Sequence, residues 1–193
     1  MVYHQFINMG LDLSLLCLEQ CDNQPEYFCY PIGAKPIGYE GSIMYCFLEG
    51  YGKTVFAVNP ETCADIFVYP LAKDFTDFLR LILACGTVNP AEQIVWMTKD
   101  RFEQHVAEEG AIRSEKLTQI LEQIANEFGL DPMEEPYEYV KTLQEEFDGS
   151  LIRYSEEYYD VLGIAREGCE EMDFMTEASV TNFCMRSETA YHE

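Results

Sequence analysis

A chain of 193 residues with 35 Asp and Glu against 12 Lys and Arg, a net charge of −23, has no basic face with which to neutralise nucleic-acid phosphates or to dock on anionic lipid. Its 48% hydrophobic and 13% aromatic content is too rich for intrinsic disorder. At 22.3 kDa it can bury roughly 70% of its unfolded surface, so the excess acid belongs on the outside of a genuine core.

No secretory signal is expected at the N-terminal stretch. No Lys or Arg precedes Lys35, and the apolar run from Leu11 to Leu18 is broken by Asp12, so a charged leader followed by an apolar segment is missing. No run approaches the roughly 18 uncharged apolar residues of a membrane span. Eight cysteines, at positions 17, 21, 29, 46, 63, 85, 169 and 184, are scattered without a framework spacing, which suits reduced thiols in the cytoplasm.

From Ser42 to Tyr69 the pattern predicts strands. Ile43 to Leu48, Val55 to Val58 and Ile66 to Tyr69 are dominated by aromatic and β-branched residues, and Glu49-Gly50-Tyr51-Gly52-Lys53 and Asn59-Pro60-Glu61-Thr62 supply the turns. The simplest arrangement is a three-stranded antiparallel meander, central in the domain because both alternating faces are apolar. Pro70 is expected to end the third strand. Asp74 then has the position of a helix N-cap, Phe75, Phe78, Leu79, Ile82 and Leu83 form one apolar stripe, and Gly86 closes the helix.

Beyond Asn89-Pro90 the period remains helical. Lys99 to Glu109 turns Phe102 and Val106 inward; Ser114 caps a helix with Leu117, Ile120, Leu121, Ile124 and Phe128 on one side and Gly129 at its end. After Pro132 and Pro136, Tyr137, Val140, Leu143 and Phe147 mark a further helix, and Ser155 begins another from Tyr154 to Leu162. Strands first and helices later predict an α+β fold: a central antiparallel sheet packed by amphipathic helices, with a helical C-terminal half. A single domain over residues 1–163 is expected, with 164–193 as a tail of no clear period.

The motifs identify no chemistry. Gly52-Lys53-Thr54 resembles the end of a phosphate-binding loop, but the leading glycine is replaced by Phe47 and a strand follows where a helix N-terminus is needed. Cys17 and Cys21 have a helical metal-ligand spacing without a second pair, so core thiols are the simpler reading. His4, His105 and His192 are far apart, and no nucleophile or metalloprotease motif accompanies them, although a fold could bring His105 near Cys63 or Cys85. Asp148-Gly149-Ser150 fits a turn better than a calcium loop. No cofactor, metal site or catalytic residue is expected.

Charge distribution says more. Residues 1–97 hold 11 acidic and 4 basic side chains, whereas 98–193 hold 24 and 8, so the acid is concentrated on the helical half. Glu134, Glu135, Glu138, Glu145, Glu146, Glu156 and Glu157, interleaved with Tyr137, Tyr139, Tyr154, Tyr158 and Tyr159, form the candidate surface for a basic protein partner. The plain alternative is that these charges only keep the protein soluble.

The segment Tyr51-Gly52-Lys53-Thr54-Val55-Phe56-Ala57-Val58-Asn59-Pro60, running on through Val68-Tyr69-Pro70-Leu71-Ala72 to Asp74-Phe75-Thr76-Asp77-Phe78-Leu79, resembles the SUKH superfamily in the order of its hairpin, strand and F-x-x-F-L helix. The Asn-Gly-Gly type of turn found nearer the N-terminus of such proteins has no counterpart in Pro31 to Gly38. That superfamily includes a yeast cell-wall assembly regulator and bacterial immunity proteins. The resemblance implies a non-catalytic cytosolic binding protein that covers the active face of a toxin, and a basic nuclease toxin would suit the charge. The alternatives are a regulatory or scaffold protein without a toxin partner, or an enzyme whose site is assembled from distant residues.

Overall fold

Four extended segments pair into an antiparallel sheet in the order β1-β2-β3-β4: β1 Lys35–Glu40, β2 Ile43–Phe47, β3 Val55–Val58 and β4 Val68–Ala72. The computed structural model describes residues 2–21, 25–62 and 66–165. The last three strands are the meander expected from sequence. Gly41 and Ser42 form a two-residue hairpin between the paired Glu40 and Ile43 and add β1 in front of it. β1 is obscured in the sequence because Pro36 and Gly38 look like strand breakers. Pro36 is tolerated at a sheet edge, beside a register irregularity between Pro36 and Gly38. Pro70 is a correction for the same reason. It lies inside β4, opposite Phe56, rather than ending it, because β4 is the other edge and the ladder shifts between Val55 and Phe56.

Both faces of the sheet are buried, which explains why the strands lack a polar alternation. Tyr45, Val55, Ala57, Tyr69 and Leu71 join the larger core under the helices. Met44, Cys46, Phe56, Val58 and Val68, which alternate with them, join a second cluster with Cys29, Leu48 and Phe67. That cluster is covered by Phe28, Tyr51, Phe147, Tyr154 and Tyr158, which come from irregular chain and one short helix.

The helical layer consists of α1 Val2–Asn8, a 3-10 turn over Leu13–Leu16, α2 Phe75–Cys85, α3 Asn89–Gln93, α4 Lys99–Ala111, α5 Glu115–Phe128, α6 Pro136–Glu145 and α7 Glu156–Leu162. α2 is the central helix, in contact with β4 and with α1, α3, α5 and α6. Its start follows the sequence signal: Asp74 Oδ1 accepts from Thr76 N at 2.8 Å and Asp77 N at 3.0 Å. Its end does as well, at Gly86 with φ +92°, whose N–H reaches Ile82 O at 2.7 Å. Asp74→Ala removes the acceptor for two otherwise unpaired N–H groups and is expected to lower stability by about 1 kcal/mol in a urea melt. The Ser114 side chain caps α5 through Leu117 N at 3.2 Å, and Gly129 ends it in the left-handed region. Ser155 begins α7 but makes no side-chain cap bond.

The outer edge of β1 is closed by the chain after the 3-10 turn. Glu19 and Tyr39 exchange backbone bonds of 2.8 and 2.9 Å, and Gln20 Nε2 donates to Ile37 O at 2.8 Å. The approach is close: a Cβ on Gly38 would lie 2.9 Å from both the carbonyl carbon and the oxygen of Leu18. Gly38→Ala must therefore displace backbone, with an expected loss of about 1–3 kcal/mol by chemical denaturation. A variant as stable as the parent would show that this strap yields freely.

Among the described residues no helix is long and apolar enough to cross a membrane. The expected tail from 164 lies outside the described residues beyond Ala165, as do Cys63, Cys169, Cys184 and His192.

Candidate interaction surfaces and a buried carboxyl network

The acidic residues singled out from sequence lie on two separate parts of the helical half. Glu134 and Glu135 precede α6, Glu138 and Glu145 lie on it, and Glu146 follows it. Glu134, Glu135 and Glu138 border two grooves of about 380 and 420 Å³, in company with cations: Lys73 and Arg80 in the first, Lys99 in the second. Lys99 Nζ meets Glu138 Oε1 at 2.6 Å, and this hydrogen bond and charge raise the Lys99 pKa. Arg80 is held by Asp77 at 3.5 Å and by Asp131 O at 3.3 Å. This acid is therefore partly compensated.

The tyrosines of α6 are built into the fold. Tyr137 OH donates to Met97 O at 2.9 Å, and Lys141 Nζ lies 5.8 Å from its ring centre. Tyr139 OH donates to Asp77 Oδ2 at 2.7 Å and accepts from Lys73 N at 2.9 Å. Burial, followed by the hydrogen bond to Asp77 and the charges of Asp77 and Asp74, raises the Tyr139 phenol.

Glu156, Glu157, Tyr158 and Tyr159 form the first turn of α7. Tyr158 stacks on Tyr154 at 3.8 Å with an interplanar angle of 7° and also packs on Phe28, while Tyr159 meets Tyr158 edge-on. Phe28, Tyr154 and Tyr158 close the second core cluster, so part of each is used internally. Glu156 and Glu157 border a third groove, of about 670 Å³, between the chain from Pro25 to Ala34 and β1.

Sequence reasoning missed a polar network between sheet and helices. Glu92, on α3, is completely buried. Its Oε1 accepts from Asn59 Nδ2 at 2.8 Å and from the Tyr69 hydroxyl, and its Oε2 from Gln93 Nε2 at 2.5 Å. Burial raises the Glu92 pKa against the opposing effect of these hydrogen bonds. Nearby, Glu40 accepts from Tyr45 OH at 2.9 Å and Asn89 Nδ2 at 2.8 Å, and His105 Nε2 lies 3.4 Å from Asn89 Oδ1. The signal available in the sequence was only an acidic residue in the first turn after Asn89-Pro90, which also describes any solvated helix start.

Chemically the network is enclosed and satisfied. Glu92 has no exposed surface, and its buried polar neighbours are paired to it. His105 is half-buried against Asn89, whereas Cys85 is buried within α2. Three of the thiols are held up: burial, reinforced by the charge of Glu40, pushes Cys17 up to about 12, burial takes Cys29 to about 11, and burial takes Cys85 to about 12 despite Arg113. Cys17 lies in a left-handed turn and Cys21 in irregular chain, so their spacing is not helical. Cys17, Cys21, Cys29, Cys46 and Cys85 are free thiols. Among the described residues no group of three or more His, Cys, Asp or Glu is arranged to hold a metal ion. No protein-family model, curated protein or solved structure matches this chain.

Proposed function

We propose that the protein is a non-catalytic, cytoplasmic binding protein that uses its acidic exterior to engage a basic protein partner, in the manner of a SUKH-type immunity protein neutralising a basic, nuclease-like toxin. The observation that carries this reading is the net charge of −23, concentrated in the helical half. Three side-chain ion pairs join described residues, using Asp77, Glu138 and Glu49. Such a field raises the encounter rate with a cationic partner by about 10- to 1,000-fold at low salt and repels anionic competitors. The raised pKa values of Cys17, Cys29 and Cys85 and the enclosure of Glu92 support binding over turnover.

The test is co-expression with a panel of basic nuclease toxin domains, scored by cell survival, followed by association kinetics of any rescued pair at low and high salt. Rescue is expected, with an association rate that falls at least about tenfold as salt is raised. Absence of rescue across the panel would defeat the immunity reading, and a partner whose association ignores salt would defeat the electrostatic one.

A further inference from the structure

The groove of about 420 Å³ between α4 and the start of α6 has an apolar floor and an acidic rim. Phe102 is buried at its base, Val106, Pro136 and Tyr137 are half-buried, and Ala107 is exposed. Glu103, Glu134 and Glu135 stand exposed around them, and Glu138 is joined to the lining's lysine, Lys99. The two walls are tied to each other. Phe102 and Tyr137 pack with ring centres 5.7 Å apart, Tyr137 OH donates to Met97 O at 2.9 Å, and Lys99 Nζ reaches Glu138 Oε1 at 2.6 Å from one helix to the other. Binding there orders little that is not already fixed, and the volume lies within the range of ligand sites.

Floor and rim together select the occupant. An apolar side chain covers Val106 and Ala107 and releases the water over them. A segment apolar throughout would also strip water from the surrounding glutamates without replacing its hydrogen bonds. An anionic segment meets four carboxylates against one lysine, itself already bonded to Glu138. Residues 166–193 of this chain carry seven acidic side chains and two arginines, so their net charge has the sign of the rim. A segment with one apolar side chain between basic ones satisfies both parts, its anchor on the floor and its cations at the rim, still partly in water. We infer that the groove between α4 and α6 anchors the partner protein through an apolar side chain flanked by arginine or lysine. The inference rests on the proposed reading that the partner is basic, and adds the apolar contact that holds it once charge has brought it in.

The test uses the full chain and a short fluorescein-labelled peptide with leucine between two arginines. Two comparison peptides replace the leucine with glycine, or both arginines with citrulline. The parent peptide should bind, and each replacement should weaken binding at least about fivefold. On titration into unaltered protein, amide NMR shifts should cluster at residues 99–107 and 134–138. The triple variant Glu103→Gln, Glu134→Gln, Glu135→Gln should weaken binding about tenfold. The triple variant Glu109→Gln, Glu122→Gln, Asp160→Asn, with the same loss of charge outside the groove, should stay within about twofold. Equal binding of the leucine and glycine peptides would overturn the apolar anchor. Equal weakening by both triples, shifts spread over the whole surface, or no binding of the parent peptide would overturn the groove. All of these leave the basic-partner reading standing, since that reading falls only with the toxin co-expression. Because the peptide comparison and the shift map use unaltered protein, a variant that fails to fold does not spoil the result.

Discussion

Glu92→Leu is expected to lower folding stability by about 2–5 kcal/mol, because it leaves the Asn59 amide and the Tyr69 hydroxyl buried without their acceptor. Glu92→Gln keeps an oxygen for both donors and should cost far less. The comparison also has a pH signature. Burial raises the folded-state pKa of Glu92 above the ordinary 4.5, so unfolding releases its proton as pH rises past that value. The stability contributed by the protonated carboxyl is present below 4.5 and is lost as pH climbs through the folded-state pKa. Glu92→Gln cannot titrate. The stability of the parent relative to this variant, from urea melts over a pH series, should therefore fall with rising pH above 4.5. A difference independent of pH would mean that Glu92 ionises in the folded protein as it does in the unfolded chain.

Phe56→Ala is expected to cost about 3–5 kcal/mol through lost burial and the cavity left behind. Phe56 is fully buried on the sheet face away from α2, with ring centroids 5.3 Å from Tyr51 and 5.4 Å from Phe147. Tyr51 in turn holds the chain that leads to α7: its hydroxyl donates to Asp148 O at 2.9 Å and accepts from Leu151 N at 3.0 Å. The loss should therefore be uneven. Hydrogen exchange should accelerate across residues 147–158 more than in α2, which packs on the other face. A cost below about 1.5 kcal/mol would show that the surrounding rings collapse into the space.

The two predictions concern residues that were unequally visible in the sequence. Phe56 stands in an apolar, β-branched run between two turns, and a fully apolar run in a chain of this size means burial on both faces. Glu92 had no such mark. Its burial follows from β3 and β4 carrying Asn59 and Tyr69 up against α3, a juxtaposition of residues 33 and 23 positions apart in the chain. β1 and α1 were also hidden. β1 contains Pro36 and Gly38, which local rules read as breakers. α1 is seven residues long, too short to be stable alone, and is held by Phe6 against Phe75 at 5.3 Å.

The candidate surface divides in the same way. Its composition was legible, because charge is additive and needs no geometry; its subdivision was not, because compensation depends on which cations fold alongside. Lys73, Arg80 and Lys99 come to Glu134, Glu135 and Glu138 from elsewhere in the chain, whereas Glu156 and Glu157 share a separate groove with Glu26 and three tyrosines.

Periodicity, caps and turn residues were enough for the meander, for α2 with Asp74 and Gly86 at its ends, and for the helices that follow, since each rests on interactions spanning a few residues. The edge strand, the enclosed carboxyl and the division of the acid between separate grooves belong to the tertiary structure alone. Each depends on groups distant in sequence being brought within a few ångströms, where sterics, desolvation and short-range charge act.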